Sequence, residues 1–275
     1  RYRPRVEGLY HRIERWEDKN SGVSHWRLTD KENVTSVFGE SLQARVFDPN
    51  HEKNIFEWMI EKRYDALGNI IQFEYKREND QNIDPSHPWE GNRLSMQNSF
   101  NRLYPKKILY GNTVMFTDPS FESTNDWHFQ LVMDYGEHPL ENPTPSETNP
   151  WPVRQDPFST YQARFELRTY RLCRRVLLFH QFSGENQGNP FLVKALELSY
   201  DENPIASQLN QALQRGYRDG NSETIPALKF SYTQAEVNPM VQKLDPEITK
   251  NLPAGIGSGY RWADLYGEGI SGILN

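Results

Sequence analysis

A single cysteine, Cys173, among 275 residues leaves no partner for an intrachain disulfide and no multi-cysteine zinc site. No apolar run approaches the roughly 20 residues needed to span a bilayer. The opening Arg1-Tyr2-Arg3-Pro4-Arg5 leads into no apolar stretch of the secretory type. Basic excess is missing as well, since 31 Lys and Arg face 37 Asp and Glu for a net charge of −6. Phosphate neutralisation needs concentrated positive surface, so no nucleic-acid partner is expected. What the chain has instead is rings: 14 Phe, 14 Tyr and 7 Trp. Each buries a large area, which argues for a packed chain rather than a disordered one. A chain of this length buries roughly 75% of its unfolded surface as one large domain or two. It opens on Arg1 rather than Met and stops just after a glycine-rich turn, so it is expected to be a piece of a longer polypeptide.

Helical periodicity is scarce and period-2 alternation is common, which predicts an all-β fold. The clearest case runs from Ile55 to Lys76. Phe56, Trp58, Ile60 and Tyr64 share one face of a first arm whose other face carries Glu57, Glu61 and Arg63. Asp65 to Asn69 supplies turn chemistry, and Ile71, Phe73 and Tyr75 alternate with polar residues on the return. Several strands close on an apolar-x-Tyr pattern, at Tyr75, Tyr135, Tyr200 and Tyr232. Their spacing is too irregular for a strict solenoid but allows strand units of variable length. The prolines crowded between 139 and 157 predict a long surface loop, because each lacks a ladder donor. Asn79 to Asn98 reads as a second loop, and Ala206 to Arg215 as one short helix with Leu209, Ala212 and Leu213 on a face. The longest strand is expected from Phe165 to Phe182. Around it stand Arg164, Arg168, Arg171, Arg174 and Arg175, read as partners for the surplus acids rather than as a basic patch.

No catalytic constellation emerges. There is no phosphate-cradling loop ending in Gly-Lys-Ser/Thr, and Gly255 to Gly259 does not join a strand to an amphipathic helix. His51-Glu52 has Ile55 where a second zinc ligand would stand, and Gly269 to Ile273 lacks the closing glycine of a nucleophile elbow. No two glutamates stand at i, i+2, the paired carboxylates typical of ADP-ribosyl transfer. Cys173 beside Arg174 and Arg175 is read as a buried inert thiol. His25, His128, His138 and His180, each beside a bulky residue, are read as packed or surface histidines. Asp264 to Gly269 approaches a carboxylate loop for a hard cation, but Tyr266 replaces the central ligand and Glu268 the last. Asp264 and Glu268 are thus weak metal candidates, a structural turn is preferred, and no cofactor is expected.

Several strings carry a resemblance: Arg3 to Leu9, Arg12 to Trp16, His25-Trp26-Arg27, Tyr64 to Asn69, Asp134 to His138, Asp156 to Ser159 and Arg168 to Val176. In this order they resemble the SpvB-type N-terminal region found in bacterial virulence proteins and in the TcB component of Tc insecticidal toxin complexes. Trp262 to Leu274 resembles the first blade of an FG-GAP-like β-propeller, and Tyr64 to Asn69 is similar to the core of a YD repeat. The resemblance implies a large antiparallel shell of Rhs/YD type over residues 1–250, with 251–275 opening a propeller. The implied role is a non-enzymatic wall around a cytotoxic C-terminal region, in a secreted, extracellular toxin. The implied partners are the rest of the same polypeptide, a C component carrying the payload and a pore-forming A component, with no membrane span of its own. The alternative from the residues is a free-standing β-rich module for carbohydrate or protein, stacking sugars on Trp16, Trp26, Trp89, Trp127 and Trp151.

Overall fold

The computed structural model describes residues 2–6, 8–88, 90–94, 100–121 and 127–233, and beyond these 240, 243, 245, 247, 250, 259–264 and 272–274. The chain divides into two units, Arg1–Tyr232 and Thr233–Asn275.

The first unit is built on strands, in the all-β antiparallel class. In order they are β1 (Arg12–Glu17), β2 (Ser24–Thr29), β3 (Thr35–Phe38), β4 (Arg45–Asp48), β5 (His51–Trp58), β6 (Ile60–Tyr64), β7 (Ile70–Arg77) and β8 (Leu103–Asn112). There follow β9 (Trp127–Asp134), β10 (Phe158–Thr160), β11 (Leu167–Thr169), β12 (Arg175–His180), β13 (Phe191–Asp201), β14 (Gln208–Arg218), β15 (Asn221–Thr224) and β16 (Leu228–Lys229). One sheet of 12 strands runs β1-β2-β3-β6-β7-β8-β9-β12-β13-β14-β15, with β16 also on β14. The pairs β4–β5 and β10–β11 stand apart from it as hairpins.

The expected hairpin is present and its turn is chemically specified. Asp65 Oδ1 accepts from the Leu67 and Asn69 amides at 2.9 and 3.0 Å, and Gly68 takes the positive φ of 87° that the turn requires. Its first arm is not one strand. Met59 breaks it by donating to Ala44 O and accepting from the Gly39 amide, both at 2.8 Å, so β5 pairs with β4 while β6 joins the main sheet. Two further expectations are corrected. Residues 206–215 are not helical but lie largely in β14, where Ala212 sits opposite Leu198 and Leu213 opposite Glu197. A ten-residue helix is marginal alone, and the seven of these residues paired with β13 outweigh its propensity. The long strand from Phe165 is interrupted after β11 and resumes at β12, in the interior of the sheet between β9 and β13.

Neither loop contains a strand among the described residues; 79–98 contributes one turn of helix, α1 (Gly91–Leu94), and its 95–98 lie outside them. The segment 139–157 is more than a surface cover, because Trp151 is fully buried and Pro143 is buried with it.

Across the middle of the sheet the two faces differ. One carries Leu109, Val132, Leu177, Phe179 and Ala195, all buried. On the other, register aligns Ile71, Tyr110 and Phe129, then Phe73, Ile108, Leu131 and Leu178, then Val176 and Leu196. None of these is buried, and Ile71 and Leu196 are 36% and 39% exposed. Both faces of β12 are therefore apolar, the pattern of a strand meant to be covered twice.

The second unit contributes one described hairpin, β17 (Arg261–Ala263) against β18 (Gly272–Leu274). Asp264 is exposed after β17, and Glu268 lies outside the described residues.

Candidate functional site

Most of the charged side chains that the fold buries gather in a seam where the loops meet β7, β8, β9 and the start of β12. Its first cluster centres on Lys106. Register along β7 and β8 passes from Glu74–Lys107 to Tyr75–Pro105, so Lys106 is the extra residue of a bulge. Its ammonium donates to Glu137 Oε1 at 2.9 Å, to Met133 O at 3.2 Å and to His138 Nε2 at 3.0 Å, and pairs with Glu147 Oε1 at 3.1 Å. Lys76 adds a second cation, 2.7 Å from Glu147 and 3.4 Å from Glu137. Glu137 Oε2 accepts from the Tyr135 amide at 2.6 Å. Asp134 Oδ1 accepts from the Gly136 amide at 2.8 Å, while its Oδ2 takes Arg175 Nε at 2.6 Å. Arg175 also reaches forward to the carbonyls of His138 and Pro139 at 3.0 and 2.9 Å.

Asp134, Glu137 and His138 bring one donor atom each within 4.8 Å of the others, a spacing suited to a cation. The cation already there is the Lys106 ammonium, which contacts two of the three. Burial raises the Asp134 and Glu147 carboxyls, but hydrogen bonds from the Gly136 amide and Lys76 respectively, with Arg175 and Lys106 beside them, bring both below the usual carboxylate range. Burial, then Lys106, holds the His138 pKa below the ordinary histidine value.

A second cluster packs against Trp151. Arg171 Nε donates to Glu78 Oε1 at 2.8 Å, Nη1 to Trp151 O at 2.9 Å and Nη2 to Asn79 O at 3.1 Å. Tyr104 closes it, donating to Glu78 Oε2 at 2.7 Å and accepting from the Tyr170 amide at 3.0 Å. The Arg171 guanidinium and the Lys76 ammonium lie 4.3 and 4.1 Å from the Trp151 ring. A third joins Arg93 to Glu166 through two bonds of 2.6 and 2.7 Å and Arg168 to Glu90 at 3.1 Å, with Tyr170 donating to Glu90. These charges are matched, which is the condition for burying them at all, and of the groups named only Arg168 Nε is buried without a hydrogen-bond partner. Chemically the seam fastens rather than reacts. It ties residues 78–88, 90 and 137–156 to the sheet.

The arginines of 164–175 divide accordingly. Arg168, Arg171, Arg174 and Arg175 pair with Glu90, Glu78, Glu202 and Asp134, as the reading against a basic patch requires. Arg164 sits in a turn with φ 68°. Cys173 is half-buried rather than buried as expected, and burial, then Asp134, push its thiol up to about 11. The other named histidines are half-buried: His128 meets Gln181 O at 3.1 Å, His25 accepts from Arg27 at 3.3 Å, and His180 lies edge-on to Phe129. Of the proposed stacking tryptophans, Trp127 and Trp151 are buried, Trp26 is half-buried and Trp16 is 46% exposed; Trp89 lies outside the described residues. Sequence reasoning missed Lys106, Glu78, Glu90 and Glu147. Lys106-Lys107 reads as an ordinary polar step in a strand, and only the bulge turns one of the two inward.

Comparison with known proteins adds context to this geometry. Residues 1–182 match the family model described as Salmonella virulence plasmid 65kDa B protein, SpvB. The mono(ADP-ribosyl)transferase SpvB of Salmonella typhimurium strain 14028s is 36% identical over 233 residues, covering 82% of this chain and 39% of that protein. This chain thus spans well under half the length of the curated relatives it matches. The N-terminal domain of effector protein SpvB from Salmonella typhimurium strain LT2 superposes with a TM-score of 0.70 at 34% identity, over 78% of this chain and 68% of that one. A Tc holotoxin pore of Photorhabdus luminescens gives 0.78 at 31% identity, over 99% of this chain and 13% of that one. The crystal structure of TcdB2-TccC3 gives 0.78 at 31%, over 99% and 14%.

Proposed function

This chain belongs to the SpvB family, and from that membership we propose that it is a non-enzymatic wall segment of a bacterial Tc- or SpvB-type toxin. In this reading it is part of a β-sheet shell that encloses or supports a cytotoxic C-terminal region until delivery into a host cell. The observation that carries the reading is the two-sided apolar character of an open 12-stranded sheet. Leu109, Val132, Leu177, Phe179 and Ala195 fill one face, and the β4–β5 and β10–β11 hairpins reach the other only around Tyr75 and Leu103, whereas Phe73, Ile108, Leu131 and Leu178 there stay half-buried and await cover from elsewhere. The polar seam supports it too, since every charge named there is spent on holding loops to a wall.

The proposed partners are the remainder of the same polypeptide, a C component carrying the payload and a pore-forming A component; likeness over nearly the whole chain to the TcdB2-TccC3 and holotoxin-pore structures supports them. Residues 1–250 are proposed as shell and 251–275 as the opening of an FG-GAP-like propeller, with the β17–β18 hairpin in its support. The toxin is proposed to act outside the bacterium. No helix among the described residues is long and apolar enough to cross a membrane. ADP-ribosyl transfer is in the name of the Salmonella relative, and the missing Glu-x-Glu pair argues against carrying it to this chain.

A single cysteine tests the wall. With Cys173→Ser as background, Leu178→Cys should react with a bulky maleimide in the separate chain and be protected in the complete toxin polypeptide. Equal reactivity in both would mean that this face stays open, and the shell reading would fail.

A further inference from the structure

His138 is buried at the start of the proline-rich segment, and the ring bonds of its two nitrogens run in opposite senses. Nδ1 lies 2.9 Å from Thr144 O, which can only accept, so Nδ1 carries the proton. Nε2 lies 3.0 Å from the Lys106 ammonium, which can only donate, so Nε2 accepts. A doubly protonated ring cannot keep both bonds, because its Nε2–H would point at an ammonium.

We propose that His138 is an acid-sensitive pin: neutral, it ties residues 139–157 to Lys106 on β8, and on taking a proton it lets that segment lift from the sheet.

The charges around the ring make this specific. Lys106 on β8, Lys76 on β7 and Arg175 on β12 supply three cations to the cluster. Asp134 at the end of β9, Glu137 in the turn and Glu147 in the proline-rich segment supply three carboxylates. The cluster balances only while His138 is neutral; protonation adds a buried positive charge with no carboxylate left over. Tyr135 and Cys173 also face it, and burial raises both, so neither supplies an anion. Hydrogen bonds and the neighbouring cations hold the Asp134 and Glu147 carboxyls below the usual carboxylate range.

The sign follows from linkage. With the closed-state pKa of His138 depressed, the pinned form is fully favoured above the ordinary histidine value of about 6.5. That advantage is lost as pH falls from there toward the depressed value. The strap that opens carries Trp151, which caps Tyr104 and Tyr135 at ring distances of 5.5 and 6.2 Å. The pin stands on this geometry alone and does not depend on the shell reading.

Hydrogen exchange of the chain at pH 7.5 and 5.0, corrected for intrinsic rates, tests it. Peptides covering 139–157 should lose about tenfold in protection at the lower pH while β12 keeps its own. His138→Gln offers an amide that can donate to Thr144 O and accept from Lys106 without titrating, and should abolish the difference. His25→Gln and His180→Gln, at the two other histidines with lowered pKa, should leave it intact. Should His138→Gln fail to fold, the imidazole resonances of the wild-type chain report instead, and their titration midpoint must coincide with the opening. Unchanged protection at pH 5.0, loss that persists in His138→Gln, or β12 opening together with 139–157 would each overturn the proposal.

Discussion

Arg171 and Glu78 are both almost wholly removed from water, and the pair survives there because every atom that carries charge has a partner. The corresponding weakness is one-sided. Arg171→Met should lower stability by about 3–5 kcal/mol in chemical denaturation, because it leaves the Glu78 carboxylate buried and uncompensated. Adding Glu78→Gln should restore part of that loss, whereas equal destabilisation by the double variant would mean that packing on Trp151 matters more than charge. At this scale the sequence was legible only in outline. An excess of acids said that the arginines would be paired, but which acid meets which arginine depends on segments over 90 positions apart, as with Glu78 and Arg171. The seam's lysine was not readable at all, because one residue of bulge decides which of two adjacent lysines turns inward.

Elements were easier to read where local chemistry fixes them. The Asp65–Asn69 turn and the proline-rich segment follow from residues that admit few backbone states, whereas Ala206 to Arg215 has helix-forming side chains and became a strand through β13. The break at Met59 had no local signal, since it exists to let one arm serve two sheets. Gly136 is the tightest local requirement next to the seam. Its φ is 110°, and an added Cβ would stand 2.7 Å from Pro152 Cγ, so both backbone and space exclude a side chain. Gly136→Ala should cost about 1–3 kcal/mol and raise proteolysis within 139–157 before the rest of the unit. An unchanged cleavage pattern would show that the turn does not hold the segment.

For the molecule as a whole, the outstanding feature is the face that carries Ile71, Phe73, Ile108, Leu131, Leu178 and Leu196. Contiguous apolar surface of this kind is rare on a monomer without a partner. The separate chain should therefore bind a hydrophobic dye such as anilinonaphthalene sulfonate and self-associate. Leu131→Lys with Leu178→Lys should cut the dye signal by roughly half while moving the thermal midpoint only slightly; a collapse in stability instead would mean that the face is already packed. The strand-rich class was visible in the alternation. The second apolar face was visible only in part, because an isolated strand with both sides apolar does not say which side its own chain will cover.

Order along the sheet is almost order along the chain, and this has a mechanical side. Strands β6 to β9 and β12 to β15 are each neighbours in both senses, so tension applied at an end peels one ladder at a time instead of shearing many together. The sequence of breakage would be interrupted at two seams, β3 with β6 and β9 with β12, where the adjoining strand is not the next in the chain. At those points the thread must first pull free the β4–β5 hairpin or the fastened stretch from Tyr135 to Arg174, so the wall would unravel in stages, with two pauses built into its topology.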